Sequence, residues 1–578
     1  MRRYIILAAV LLAYAAASAQ NLNPTVQVTN DYEGKLMEVE KQNVQMAVPD
    51  SLLKFDWNFN YSVFDNPYRG AYEFSPYRID MKPEARVRDS RKFYLRAGAG
   101  YSLHPEVQAV LTPEIKGRFG FSLYDDFKGY TGLYHGITLL TPEEPGPYVL
   151  GREGEYSGSD FSNRLGGTLR YDAPTVVLTF DAGMDLIRTK EQYFGGNSML
   201  GGSATFRARS AAPSDFAYDV KVGWTGLGNK VFPVASSSAT ADKYTEHDAG
   251  FDAKMVYRLA DSHAIRFEPS YHHVYFCETK GTAMADIVDI APSYVYSEDG
   301  FSVKAGIRYS DVWRSADMTV VDYDGRKLFP DFRLSYEAIP DKLVLSAKVV
   351  GGQKFNTYGS YLKANHHLTS FASEYYSIQT GDATVNAFDA GIGVSGQVRH
   401  LLQFGADAGF ARYLNAPLLG IVTLANVQYP IGVMVDYDLL YLEANGSLSS
   451  DRVDAAANLR VQKSNLKPDS EVVHYAVTLP VFTGGADFVY NWNRRVFAGL
   501  TAEWATSRKG ESIYSAYGPV YDCVVPGWID LGVTAEFRIN SRFSVWAEGR
   551  NLLNQTVMRN FMIAEKGPYF TAGICLNL

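Results

Sequence analysis

Apolar and polar positions alternate with a period of two along most of the chain, and the alternating runs are long. Val176, Leu178, Phe180, Ala182, Met184 and Leu186 fall on one face of such a run, opposite Thr179, Asp181, Gly183 and Asp185. Val496, Ala498, Leu500, Ala502 and Trp504 alternate with Gly499, Thr501 and Glu503, and Ile529, Leu531, Val533, Ala535, Phe537 and Ile539 alternate with Asp530, Gly532, Thr534, Glu536 and Arg538. The last ten residues repeat the pattern: Phe570, Ala572, Ile574, Leu576 and Leu578 on one side, Tyr569, Thr571, Gly573, Cys575 and Asn577 on the other. Period two predicts strands with one oily face. Their length is that of a tilted membrane strand, about nine to eleven residues, and exceeds the five or six usual in a soluble sandwich. A sheet in lipid must close, because lipid leaves no partner for an open edge.

Short turn signals punctuate these runs. They fall at Lys116-Gly117-Arg118, Ala173-Pro174-Thr175, Ala212-Pro213-Ser214, Asp261-Ser262, Asp299-Gly300, Ile339-Pro340-Asp341, Val398-Arg399-His400, Leu440-Tyr441, Asn493-Arg494 and Asn540-Ser541. Longer connections are expected at Lys128 to Asn163, Asn356 to Thr384 and Asn445 to Glu471. The stretch Thr141-Pro142-Glu143-Glu144-Pro145-Gly146-Pro147 reads as surface-exposed. Ten short turns joining eleven long hairpins predict an all-β transmembrane antiparallel barrel of about 22 strands, with about 16–20 as the alternative. Short turns then face the periplasm and long loops the cell exterior.

The barrel pattern starts near Lys92. Before it, Arg2 and Arg3 precede an apolar run from Ile5 to Ala17, and Ala17-Ser18-Ala19 supplies small residues for cleavage, so residues 1–19 read as a signal peptide. Residues 20–91 mix a short alternating run, Phe55, Trp57, Phe59 and Tyr61, with a Pro- and Tyr-rich stretch. They read as an N-terminal periplasmic or lumen-occluding segment, with residues 92–578 as the barrel.

Composition agrees with export to a membrane. The 40 Tyr, 32 Phe and 50 Gly suit alternating strands with aromatic belts at two interfaces. A net charge of −8 without a basic block excludes a nucleic-acid partner. Three cysteines, Cys277, Cys523 and Cys575, are too few for a disulfide framework.

The closing hairpin carries a family resemblance. Val545-Trp546-Ala547-Glu548-Gly549-Arg550-Asn551-Leu552-Leu553-Asn554, followed by Lys566-Gly567-Pro568-Tyr569-Phe570-Thr571-Ala572-Gly573, resembles the final hairpin of TonB-dependent receptors. The resemblance covers the barrel part only. Leu578 stands where family members usually carry an aromatic residue, and residues 20–91 are shorter than the family's plug and show no plug pattern. The resemblance implies solute or nutrient uptake, or passage, across the outer membrane with a partner protein; the alternative is a scaffold subunit of a surface assembly. The expected partners are outer-membrane lipid, the barrel-assembly machinery, and a surface lipoprotein or periplasmic protein.

No catalytic site, metal site or cofactor is expected. His272-His273 and His366-His367 are adjacent pairs, and neighbours on a strand point to opposite faces, so such a pair does not chelate as a unit. Ser, His and acidic residues show no spacing that joins a nucleophile to a base. Asp181, Asp185, His272, Asp407, Glu503, Asp530, Glu536, Arg538 and Arg550, with Lys348, read as lining a wet lumen. Trp492, Trp504 and Trp528 read as interface anchors. Phe570, Ile574, Leu576 and Leu578 read as the lipid face of a closing strand that pairs with either Lys92 to Ser102 or Phe55 to Tyr61.

Overall fold

The computed structural model describes residues 92–578 except 102, 114, 116, 141–146, 191–194, 212–213, 233–241, 279–280, 315–326, 368–382, 400, 425–426, 468–476, 515–519, 560–563 and 565–566. The signal peptide, the segment 20–91 and the Pro/Glu stretch from Thr141 lie outside the described residues. The strands begin with β1 (Phe93–Gly100), β2 (Glu106–Leu111), β3 (Phe119–Leu140), β4 (Tyr148–Asp172), β5 (Val176–Lys190), β6 (Gly196–Ser210), β7 (Phe216–Phe232) and β8 (Asp242–Ala260). They continue with β9 (His263–Glu278), β10 (Gly281–Glu298), β11 (Phe301–Arg314), β12 (Leu328–Ile339), β13 (Leu343–Phe355), β14 (Ala383–Val398), β15 (Leu402–Leu424) and β16 (Val427–Ser449). The remainder are β17 (Val453–Leu466), β18 (Phe482–Trp492), β19 (Val496–Ala505), β20 (Arg508–Tyr514), β21 (Val520–Val525), β22 (Trp528–Arg538), β23 (Phe543–Arg550) and β24 (Tyr569–Asn577).

Each strand from β1 to β19 pairs antiparallel with the next, β19 pairs with β22, and β24 returns to β1, so 22 of the described strands close into a ring. Alternation sets the faces. On β5, Phe180, Met184 and Leu186 are exposed outward, and the positions between them point into the ring. Among the described residues no helix is long and apolar enough to cross a membrane.

The closing seam resolves one open point. β24 pairs with β1, in the register Tyr94↔Asn577, Ala97↔Ile574 and Gly100↔Thr571, so the partner is the stretch beginning near Lys92. The backbones approach so closely that a Cβ on Gly573 would stand 2.0 Å from the Ala97 carbonyl oxygen. On the inner side the Arg96 guanidinium lies 3.8 Å from the Trp546 ring centroid and 3.3 Å from the Glu548 carboxylate, linking β1 to β23 across β24.

Two expectations fail along β16. Leu440-Tyr441 is no turn: it lies inside β16, and the chain reverses at residues 450–452, where Ser450 Oγ accepts a hydrogen bond from the Val453 N–H. Asn445 to Glu471 is correspondingly no long loop, since β16 runs to Ser449 and β17 covers Val453–Leu466. The reason is that Leu439 and Tyr441 are buried inward while Leu440 and Leu442 are exposed outward. Both faces are apolar there, and the period-two signal vanishes in mid-strand. Lys128 to Asn163 is also no irregular loop. It is a tall paired hairpin, since β3 and β4 run for 22 and 25 residues and stay paired up to Leu140↔Val149, with one register shift between His135 and Ile137.

Candidate functional site at the bridged outer mouth

At the long-loop end the connection from β19 to β22 folds into a hairpin of its own. β20 and β21 pair antiparallel, from Arg508↔Val525 to Ile513↔Val520. β20 then runs parallel to the tip of β15, with Ile421↔Ser512, Val422↔Ile513 and Thr423↔Tyr514. β21 runs parallel to the tip of β4, with Cys523↔Tyr148 and Val524↔Val149. As the fourth and fifteenth strands of a 22-strand ring, β4 and β15 stand half a circumference apart. The hairpin therefore joins opposite rims in one hydrogen-bonded sheet, in the order β16, β15, β20, β21, β4, β3.

This bridge has its own apolar core. Leu150, Val477, Cys523, Val525 and Met558 are buried together, with Ile137, Leu139 and Tyr148 packed against them. The loop before β18 is stitched on through Thr478, whose N–H donates to the Lys509 carbonyl and whose Oγ accepts from the Lys509 N–H. The loop after β23 is held by the Arg152 guanidinium, which donates to Thr556 Oγ1 at 2.5 Å and to the Asn554 carbonyl at 2.9 Å. Arg559 of the same loop reaches Glu503 Oε2 at 2.7 Å and Asp530 Oδ2 at 2.5 Å.

Below the mouth, the inner wall carries crossed ion pairs. Lys304 Nζ is 3.0 Å from Glu268 Oε2 and 2.6 Å from Asp331 Oδ2, and its side chain is 3 % exposed. Arg266 flanks Glu268 two residues away, and Arg333 lies 3.7 Å from Asp331. Further round, Lys348 Nζ and the Tyr441 hydroxyl both donate to Asp389.

No family model matches the chain, and no curated protein does. Among solved structures, the chain is similar to the FrpB iron transporter from Neisseria meningitidis (TM-score 0.61, 11 % identity, over 85 % of this chain and 82 % of that one). It is also similar to a mutant of the ferric enterobactin receptor PfeA from Pseudomonas aeruginosa in complex with enterobactin (0.60, 12 %, 84 % and 81 %). A third is the siderophore receptor PirA from Acinetobacter baumannii (0.59, 11 %, 84 % and 80 %). The fold is the TonB-dependent receptor barrel.

In this barrel the connection between β13 and β14 folds across to β4–β9. Its helix α1 (Tyr358–Ala364) is capped by the Thr357 side chain and buries Tyr358, Tyr361 and Leu362 against Ile187, Met199, Leu227, Val231, Tyr244 and Phe276. The buried Glu246 carboxylate accepts from the Tyr358 N–H at 2.6 Å and the Gly359 N–H at 3.0 Å. Asn229 donates to the Tyr358 hydroxyl, and Lys363 Nζ lies 2.5 Å from Asp185. His366 and His367 both face Asp160, at 3.0 Å and 3.7 Å.

Glu246→Leu removes both carboxylate bonds to the start of α1 and leaves two buried N–H groups unpaired. Bonds to a charged group contribute about 1.5–3 kcal/mol each. The undocked fraction of the segment rises roughly ten- to a hundredfold even if only one bond's worth is lost. Limited trypsinolysis after Lys363 reads this as faster cleavage with an unchanged unfolding midpoint for the barrel; cleavage at the wild-type rate would refute the anchoring role.

The residues singled out from the sequence separate into several places. Asp185 meets α1 and lies 3.7 Å from Arg164, while Asp181 accepts from Thr168 Oγ1 at 2.5 Å. His272 lies between Asp248 and Asp252, at 3.3 and 3.4 Å, and His273 contacts Asp286 on the other face. Glu503 and Asp530 share a partner, Arg559. Glu536 pairs with Arg538, which stacks 4.1 Å from the Phe497 centroid, and Arg550 pairs with Glu548. Asp407 stands opposite Gly393 and Glu443 in the ladder. Phe570, Ile574 and Leu578 are exposed outward and Leu576 is half-buried. The sequence reading missed Arg559, Glu246, Lys304 and Asp331. Lys304 and Asp331 follow the same period-two rule as their neighbours, but Arg559 and α1 lie in loops, where no periodicity points to a partner. Among the described residues no group of three or more His, Cys, Asp or Glu side chains is placed to hold a metal ion.

Proposed function

We propose that the chain is an outer-membrane uptake protein that receives a bulky solute beneath its bridged mouth and passes it along the ion-paired inner wall. The observation that carries this reading is the β20–β21 hairpin, which hydrogen-bonds to opposite rims of the ring. A ring of 22 strands encloses a lumen that leaks unless it is obstructed, and a covered mouth is what a selective conduit needs. The neighbouring structures are named as an iron transporter, a ferric enterobactin receptor and a siderophore receptor, which makes an iron chelate the first solute class to offer. The likeness is one of fold, so it ranks candidates and identifies none.

Planar-bilayer recording tests the reading. Variants are the full chain, the chain with residues 508–525 replaced by a short Gly/Ser linker, the chain without residues 20–91, and the combination of both. Little current from the full chain and sustained conductance from the combined variant are expected. Absence of current from all four would overturn the conduit, and a stoichiometric membrane partner co-purifying with that silent barrel would favour the scaffold subunit.

A further inference from the structure

The outer wall carries a row of cations that nothing above explains. Arg188 of β5 stands opposite Ser198 of β6, Ser198 opposite Lys230 of β7, and Lys230 opposite Lys243 of β8. The four positions form one continuous cross-strand row, and strands about 4.8 Å apart make it about 15 Å long. Lys190 lies two residues beyond Arg188 and so on the same face, opposite Ser159.

The face is the lipid face. Two residues towards the short-turn end, the next row holds Leu186, Leu200, Gly228 and Thr245, in which Leu186 and Leu200 are exposed outward. Below that come Met184, Gly202, Gly226 and His247, with the His247 ring stacked 5.9 Å from Trp224. Still lower, Phe180, Phe206 and Val222 are exposed. The order along the wall is thus aliphatic and aromatic, then leucine, then basic, with the basic row towards the long loops. Arg188, Lys190, Lys230 and Lys243 are all exposed. Among the described residues no carboxylate pairs with Arg188, Lys190 or Lys230.

A cation on a soluble surface needs no explanation, because water solvates it. These cations share a wall with the bilayer-facing rows and begin where the aliphatic rows stop; the exposed Phe232, opposite Gly196 one step nearer the long loops, is an aromatic side chain of the kind that sits at headgroup depth. The anionic groups at that depth are lipid phosphates, and a guanidinium with three ammonium groups spread along 15 Å can take two of them at once.

We propose that Arg188, Lys190, Lys230 and Lys243 form a binding site for a phosphorylated lipid of the outer leaflet, whose acyl chains lie over Leu186, Leu200 and Trp224. The site belongs to the outer wall and is independent of any solute in the lumen.

Native mass spectrometry of the full-length chain tests it, after incubation in detergent with bisphosphorylated lipid A or with the same lipid stripped of phosphate. Wild type should retain the phosphorylated lipid and not the stripped one. Arg188→Gln/Lys230→Gln/Lys243→Gln should weaken retention roughly a hundredfold. Arg207→Gln/Lys221→Gln/Lys254→Gln changes the net charge equally on the inner face of β6, β7 and β8 and should retain lipid as wild type does. Equal retention of both lipids by wild type overturns the proposal without any variant. So does wild-type retention by the outward triple variant in its folded, heat-modifiable form.

Discussion

Lys304→Met is expected to lower the unfolding free energy of the barrel by about 3 kcal/mol, the low end of the range for breaking a buried ion pair from one side. The ammonium group is 3 % exposed, and it sits between Glu268 and Asp331 on β9 and β12, while its own strand, β11, pairs directly with β12. Removing it leaves two carboxylates with one positive neighbour each. Arg266 keeps Glu268 well bonded, so most of the cost falls on Asp331, which is 2 % exposed and among the described residues retains only the Arg333 contact at 3.7 Å. That division is itself testable. Lys304→Met combined with Asp331→Leu removes the stranded charge with its partner, and apolar replacement of a whole buried pair is often close to neutral. Urea unfolding of the chain reconstituted in lipid vesicles, followed by tryptophan fluorescence, should rank wild type and the double variant together above the single variant. A single variant as stable as wild type would show that water reaches Asp331 and that the inner wall is wet at this level.

The inner wall and the outer mouth were unequally legible in the sequence, for a physical reason. A strand's two faces meet different solvents, so Phe180, Met184 and Leu186 alternate visibly with Asp181 and Asp185; six of the ten expected turns coincide with strand ends, and three more, at Lys116, Ala212-Pro213 and His400, fall partly outside the described residues. The exception, Leu440-Tyr441, lies where Tyr413, Tyr437, Leu439 and Tyr441 pack into an apolar cluster inside the ring, so both faces of β16 are oily. The strand count survived because the displaced turn was replaced by another at residues 450–452. The bridge was not legible. β20 and β21 have only 7 and 6 residues, and their partners, β15 and β4, are strands whose lipid-spanning parts alone give a clean alternation. Parallel pairing between a loop hairpin and distant strand tips leaves no periodic trace. Glu246 was hidden for the same reason, since its partners are backbone N–H groups 112 and 113 residues away.

The bridge and the inner wall work on different energy scales. Among the described residues the bridge is held to β15 by three paired positions and to β4 by two, together with the Thr478–Lys509 bonds and one small apolar cluster. The ring is held by ladders of six or more paired positions between every pair of neighbouring strands, down to the β1–β2 and β2–β3 pairs. Local opening draws on the weaker set. Replacing residues 508–525 in the conductance experiment therefore separates the contribution of the bridge from that of the wall.

Ile574→Arg is expected to cost about 2–4 kcal/mol of stability in a bilayer, the penalty for an arginine at mid-depth on the lipid face of a barrel. Ile574 lies inside the closing strand, exposed outward, with Val545 on one side and Ala97 on the other. Neither neighbour offers a counter-charge. Its position on the seam adds a second consequence, because β24 must meet β1 before the ring is complete, and the close contact of Gly573 with the Ala97 carbonyl leaves no slack for the strand to shift and hide the charge. Leu578→Arg shares the outward face but lies at the short-turn end, where the same substitution costs about 0–1 kcal/mol. Urea titration of both variants folded into vesicles should separate them by at least about 1 kcal/mol. Equal midpoints would place Ile574 outside the hydrocarbon layer and shift the membrane boundary along the whole wall, including the depth at which the row of cations begins.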